Sequence, residues 1–201
     1  MRRAARFALS FALSFALLFA LSFALSFAQT PPARVDSDSS VHRAIDPAKS
    51  TVRFSIAFLF FQHVTGTVPI LSGTLTFDED SPTALSASAV LDATKLTTGD
   101  RDQTNALHSS DFFDVARFPE WTFTSTLVTP HGPAAFGVDG MLTIHGVSQP
   151  EHLEVTVVGD AAHRSYHAVG HVDRHAFGMS VTRIDPAIGG SADVILDVTL
   201  K

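Results

Sequence analysis

Beyond residue 40 the chain alternates apolar and polar side chains in short runs that end at turn residues. The clearest run is 111–126, DFFDVARFPEWTFTST. After the paired Phe112 and Phe113 and a proline turn at Pro119, Trp121 and Phe123 fall on one parity and Thr122, Thr124 and Thr126 on the other. Period two with β-branched polar residues on one side marks a strand with one buried face. The same reading predicts strands over 51–61, 63–68, 73–77, 85–93, 121–128, 136–144, 151–158, 166–171, 179–184 and 194–200, with turns in DEDSP (78–82), at 130–133 and in GVSQP (146–150). Short strands at regular spacing, with no long helical period among them, predict an all-β sandwich or closed barrel. The exception is 99–115, which does not alternate and brings Leu107, Phe112 and Phe113 to spacings that one side of a short helix presents. It is expected to be a helical insertion capping one end of the barrel.

Parity also locates the interior. In the first long strand Val52, Phe54, Ile56, Phe58 and Phe60 share a face, opposed by Thr51, Arg53, Ser55 and Ala57. Leu59 and Phe61 break the alternation, so the far end of this strand is apolar on both sides, as at a dimer contact or a pocket mouth. A barrel of eight strands is wide enough either to fill itself with side chains or to hold one slender ligand. The lining expected for such a ligand is Phe54, Ile56, Phe58, Phe112, Phe113, Trp121, Phe123, Leu142, Ile144 and Met179.

The N-terminus follows another pattern. Arg2, Arg3 and Arg6 precede 7–27, which carries no charge and places a phenylalanine at every fourth position. A helix of that length, at ~1.5 Å per residue, is about 30 Å long and matches a bilayer core. Ser26 and Ala28 supply the small residues of a signal-peptidase site before Gln29. Residues 1–28 are therefore expected to be a cleaved signal peptide, with an uncleaved anchor as the alternative. Either puts the domain in the periplasm or outside the cell. The Pro-, Ser- and Asp-rich stretch 29–40 is expected to be a disordered linker, and 41–201 a single domain.

Without the leader, eleven Lys and Arg face twenty Asp and Glu, a net charge near −9. That opposes binding to nucleic acid and to anionic headgroups. With no cysteine in the chain, disulfides, thiolate metal sites and a cysteine nucleophile are excluded. His163, His167, His171 and His175 recur every four residues, but on an extended chain that spacing is about 13 Å, too far to share an ion. They are expected to face solvent along an edge strand. Ser109, His108 and Asp111 are too close in sequence to form a relay, and no GxSxG elbow or phosphate-binding glycine loop occurs. No catalytic residue, metal or cofactor is expected.

Several segments, taken in order, resemble the YceI family: IDPAKSTVRFSI, VTGTV with GTLTFD, TTG before ALHSSDFFDVARFPEWTFTST, then GMLTIHGVSQP and DRHAFGM. The resemblance runs over 45–200 and implies an eight-stranded antiparallel lipocalin-like barrel, secreted to the periplasm. It also implies a tunnel for a polyisoprenoid or isoprenoid quinone tail, frequent homodimers, and no established enzymatic activity. Phe54, Phe112, Phe113, Phe123, Leu142, Ile144, Phe177 and Met179 fall on the family's apolar positions, whereas Trp121 stands where an aliphatic is commoner. Ser109, Asp111, Gly146, Arg174 and Gly178 match polar or turn positions with structural roles. This chain departs from the family at Ala57 and Phe58, where a Lys–His pair is frequent, and at Phe60, where glycine is. It departs again at Gln103 to Ala106, where Arg–Asp–x–His is usual; Arg101 and Asp102 lie two residues early. The tunnel entrance is thus expected to be more apolar than in relatives.

The leading expectation is a non-enzymatic carrier whose partner is a long-chain apolar lipid, with membrane contact only through the N-terminal segment. The competing one is an enzyme acting on a lipid or quinone headgroup at the barrel mouth, with His63 and His145 nearest the strand ends. A third is a self-filled barrel that serves only as an interaction module.

Overall fold

The computed structural model describes residues 40–59, 61–78, 83–160, 163–180 and 184–201. The expected leader and nearly all of the expected linker lie outside the described residues, and Ser40 already belongs to a strand. The strands are β1 (Ser40–Ala44), β2 (Thr51–Phe58), β3 (Gln62–Val68), β4 (Ile70–Asp78), β5 (Ala84–Asp92), β6 (Thr97–Thr98), β7 (Glu120–Gly132), β8 (Ala135–Ile144), β9 (Val147–Val158), β10 (Ser165–Asp173) and β11 (Ile188–Thr199). One helix, α1 (Arg101–His108), follows β6. The Asp100 carboxylate caps it by accepting the Gln103 N–H at 2.9 Å.

All eleven strands form one antiparallel sheet, ordered β1-β4-β5-β7-β8-β9-β10-β11-β2-β3-β6, curled into a half-barrel. The expected count of eight is corrected to eleven among the described residues. Alternation already separates 63–68 from 73–77 on either side of Pro69, which divides β3 from β4, whereas β1 and β6 are too short to announce themselves that way. Pro69 also joins opposite sides of the curl, because β3 lies beside β2 while β4 pairs with β5. Proline suits this bend, since it has no N–H to leave unpaired, and its carbonyl still accepts the Asp92 N–H at 2.9 Å. An Ile45–Leu200 bridge ties the chain leaving β1 to the end of β11.

Other expectations shift in register. The turn after β8 is the two-residue His145–Gly146, both at positive φ (54° and 75°), and Val147 already pairs with Ile144. Two positive-φ residues match the right-handed twist of the flanking strands. The rest of GVSQP is strand, and Pro150 is tolerated there because β10 pairs with β9 only from Leu153 onward. The 130–133 turn moves to Pro133 and Ala134, between β7 and β8. The histidine-bearing β10 is an interior strand between β9 and β11, not an edge. Phe112 and Phe113 follow α1 instead of sharing its face, and the Phe113 N–H donates to the Leu107 carbonyl at 3.1 Å.

The strand expected over 179–184 is absent at Met179, Ser180 and Ile184; residues 181–183 lie outside the described residues. Arg174 supplies the reason. Its guanidinium, 4% exposed, donates to the carbonyls of Met179 (2.6 Å), Gly189 (2.8 Å), Ile188 (3.2 Å) and Asp185 (3.3 Å), and to the Asp185 carboxylate (2.6 Å). Five acceptors converging on one cation draw Met179 and Asp185 around it and not into a ladder, because a buried guanidinium must be paired and hydrogen-bonded.

The interior divides along the axis. Toward the starts of β8 and β10 and the end of β4 it is solid: Tyr166 packs on Phe77 (5.8 Å between ring centroids) and Phe136 (6.3 Å). Each such buried ring contributes roughly 1.5–3 kcal/mol. Toward the opposite strand ends, two aromatic side chains lie against glycines of the adjoining strand. A Cβ on Gly66 would stand 2.5 Å from Phe54 Cζ, and one on Gly140 would stand 2.4 Å from Phe123 Cζ. The rings therefore lie along the wall.

Gly140→Ala is expected to lower stability by about 1–3 kcal/mol, because the new methyl meets the Thr124 carbonyl (2.7 Å) as well as the ring. A downward shift of the urea midpoint at unchanged m-value would bear this out. Asp185 gives an acid signature: Arg174, then His175, hold its carboxyl down to about 2 from an ordinary 3.8. A depressed carboxyl stabilises fully above its unfolded value and loses that contribution as pH falls through the folded one. The stability gap between wild type and Asp185→Asn should thus be full above about pH 4 and close as pH falls toward about 2, a trend that urea titrations across that range would reveal.

Candidate functional site

Above the Phe77–Tyr166–Phe136 plug the half-barrel encloses a cavity of about 320 Å³. Its walls follow from strand parity. β2 contributes Val52, Phe54, Ile56 and Phe58, the face expected to be interior. β7 contributes Trp121 and Phe123, while Thr122, Thr124 and Thr126 are exposed outside. Leu142 and Ile144 come from the end of β8, and Met179 from the loop around Arg174. Phe112 and Phe113 enter from the turn after α1, close to Leu107. The structure thus brings all ten expected lining residues to one cavity.

Other lining residues were less visible in the sequence. On β11 Ala192, Val194 and Leu196 continue the wall, but a register shift between Ile188 and Ala192 interrupts the parity that would have revealed the whole face. On β9, Glu151 and Leu153 share the inward parity of Val155, so a carboxylate faces the cavity. Burial, and secondarily Asp173, push the Glu151 pKa up. The signal for it was present, since stepping back by twos from the buried Val155 reaches Glu151.

Polar groups are few on this wall. Arg174 borders the cavity, but the Arg174 loop engages its donors. His152 and His171 also border it, with rings turned outward to Asp139 (2.7 Å) and Asp193 (2.8 Å). The Asp139 bond, then Glu154, push the His152 pKa up. Trp121 is 7% exposed and packs on Phe113 at 4.6 Å between centroids. Its Nε1 is a buried polar atom with no hydrogen-bond partner, which costs about 1–3 kcal/mol. Lining residues that also reach solvent mark the opening: Gln103 and Ala106 on α1, and Ile184 on the facing lip.

The remaining candidates lie elsewhere. His63 is exposed on β3, and His145 packs edge-on against Phe118 at 4.9 Å; neither borders the cavity. His108 Nε2 lies 2.9 Å from the Leu96 carbonyl, and Ser109 Oγ donates to the Ala106 carbonyl at 2.7 Å, so both serve the end of α1. His167 meets Asp197 at 2.7 Å on the outer face. No group of three or more His, Asp or Glu suited to a metal ion occurs among the described residues.

The comparisons agree with this architecture. A crystal structure of BcnA from Burkholderia cenocepacia superposes with a TM-score of 0.68 at 24% identity, over 77% of this chain and 98% of that one. A polyisoprenoid-binding domain from Saccharophagus degradans, implicated in plant cell wall breakdown, gives 0.60 at 15% identity over 81% and 98%. In sequence, the chain is 35% identical over 108 residues to Protein YceI of Escherichia coli O157:H7, covering 54% of this chain and 56% of the relative. It is 32% identical over 112 residues to a UPF0312 protein of Vibrio campbellii, covering 56% and 59%. The matched part spans little more than half the length of these curated relatives. The YceI-like domain itself matches residues 44–200, from the end of β1 to the close of β11, and the chain belongs to that family.

Proposed function

We propose that this protein is a periplasmic or secreted carrier that holds one long apolar lipid, a polyisoprenoid or isoprenoid quinone-like molecule, against the ten residues from Phe54 to Met179 named above. The observation that carries the reading is an open cavity whose wall is almost wholly hydrocarbon and aromatic, beside a region that the chain fills with its own rings. A relative of the same fold is described as polyisoprenoid-binding, which supports the ligand class.

The driving force is desolvation. If each methylene needs about the ~30 Å³ that a water takes in the liquid, the cavity accepts on the order of ten carbons. At ~0.8 kcal/mol per buried CH₂ these supply roughly 8 kcal/mol, from which association and ordering costs are subtracted. Affinity then rises with the length of chain taken in until the space is full. Any longer lipid leaves part of itself at the opening. Headgroup chemistry by His63 or His145 is not favoured, since neither reaches the cavity wall.

Solvent extraction of the natively purified protein should release an isoprenoid lipid detectable by mass spectrometry. After stripping, titration with an isoprenoid quinone should quench the fluorescence of Trp121, the only tryptophan in the chain. Ala192→Phe, which projects a ring into the cavity, should weaken that uptake roughly 10- to 50-fold, the equivalent of two to three displaced methylenes. Extraction that yields no lipid, together with no uptake by the stripped protein, would overturn the proposal.

A further inference from the structure

We propose that the tip of the β2–β3 hairpin docks the protein on the surface of a neutral or zwitterionic lipid bilayer, beside the mouth of the cavity. At this tip β2 ends at Phe58 and β3 begins at Gln62. Phe58 lines the cavity, whereas Leu59 is 42% exposed and Phe61 82% exposed. Ile184, also 42% exposed, forms a lip of the opening. Backbone bonds join the two lips: the Leu59 N–H donates to the Ala187 carbonyl at 2.7 Å, and the Ala187 N–H to the Ile184 carbonyl at 2.9 Å. The exposed apolar tip is thus continuous with the cavity wall.

Three considerations select a bilayer over another protein as the occupant. First, the area is small: even at ~200 Å² apiece, Leu59, Phe61 and Ile184, the exposed apolar residues here among those described, together offer less than the ~800 Å² that each partner gives to a stable protein interface. Insertion of one aromatic and two aliphatic side chains into a headgroup region requires no such matched surface. Secondly, no Asp, Glu, Lys or Arg occurs from Phe54 through Phe77, in a chain that otherwise carries 34 of them. A hairpin tip without Asp, Glu, Lys or Arg avoids the desolvation penalty that ionised groups incur at a hydrocarbon boundary, and the acidic remainder of the domain disfavours an anionic membrane. Thirdly, a lipid that entered the cavity through water would expose every methylene on the way, at ~0.8 kcal/mol each. A mouth pressed to the bilayer removes most of that barrier. The inference rests on the lipid-carrier reading for its purpose, though not for its test.

The absence of cysteine allows a local probe in the full chain, whatever the N-terminal segment does. Gln62→Cys, carrying a polarity-sensitive fluorophore, keeps Phe61 in place; Leu127→Cys, at another exposed apolar position (57%), serves as the control. With phosphatidylcholine vesicles containing spin-labelled lipid, the label at 62 should be quenched and blue-shifted and the label at 127 should not. Adding Phe61→Ser should cut the quenching at 62 about fivefold. Equal quenching at both positions, no quenching at 62, or quenching indifferent to Phe61→Ser would overturn the proposal. So would a blue shift at 62 that grows with protein concentration in the absence of vesicles, which would identify a second copy as the occupant. Quinone uptake followed through Trp121 is read on the same samples. Quenching at 62 without uptake would sustain the docking surface while removing the carrier function, and uptake without quenching would do the reverse.

Discussion

The open interior depends on where the aromatic side chains can lie. Eleven phenylalanines outside the N-terminal segment would be ample to fill a small barrel, and at one end the rings of Phe77, Phe136 and Tyr166 do so. At the other end Phe54 and Phe123 lie against Gly66 and Gly140, in space that any side chain would occupy. A ring over a glycine buries its face on the sheet and leaves the lumen clear, which is how aromatic cover of strand glycines preserves both packing and curvature. A side chain at either glycine would collide with the ring that covers it. The cavity is therefore a property of paired positions on adjoining strands more than of lining composition.

That distinction explains what the sequence made legible. Parity within a strand was enough to bring Phe54, Ile56 and Phe58, or Trp121 and Phe123, to the interior, because period two is a local property. Relations between strands were not legible in the same way. The sequence does not announce that Pro69 carries the chain from one side of the curl to the other, or that β10 is enclosed by β9 and β11. Met179 and Ile184, apolar and beside β-branched residues, read locally as strand. What draws Met179 and Asp185 away from a ladder is a single arginine whose acceptors lie up to 15 residues away in sequence. Local propensity yields where one buried cation gathers that many carbonyls.

The outer face carries much of the charge, in pairs across strands: Arg53 and His167 with Asp197, His171 with Asp193, and His152 with Asp139. Their side chains are about half exposed or more in most cases, so each pair contributes little to stability. Their placement still matters for the cavity. An imidazole held outward by a carboxylate is an imidazole not turned toward the lumen, and the wall beside His152 and His171 stays hydrocarbon as a result. Of the histidines spaced four apart, His171 borders the cavity with its ring facing away from it.

Trp121 and Glu151 each bring a polar group to the largely hydrocarbon wall, and they differ in consequence. The indole nitrogen is sealed against its neighbours and unpartnered; an aliphatic side chain here would avoid that cost. The compensation is the area of the ring, which packs on Phe113 and braces the turn after α1 against β7. Glu151 is different because its raised pKa follows from a carboxyl placed where burial disfavours charge. A carboxyl at the edge of an apolar space sets a boundary: a chain can pass it, but an anionic headgroup beside it meets repulsion whenever Glu151 is ionised. Depth of insertion is then limited by the aromatic plug on one side and by polarity on the other. On the carrier function proposed above, the hydrocarbon taken in between those limits, and not a headgroup contact, sets the affinity.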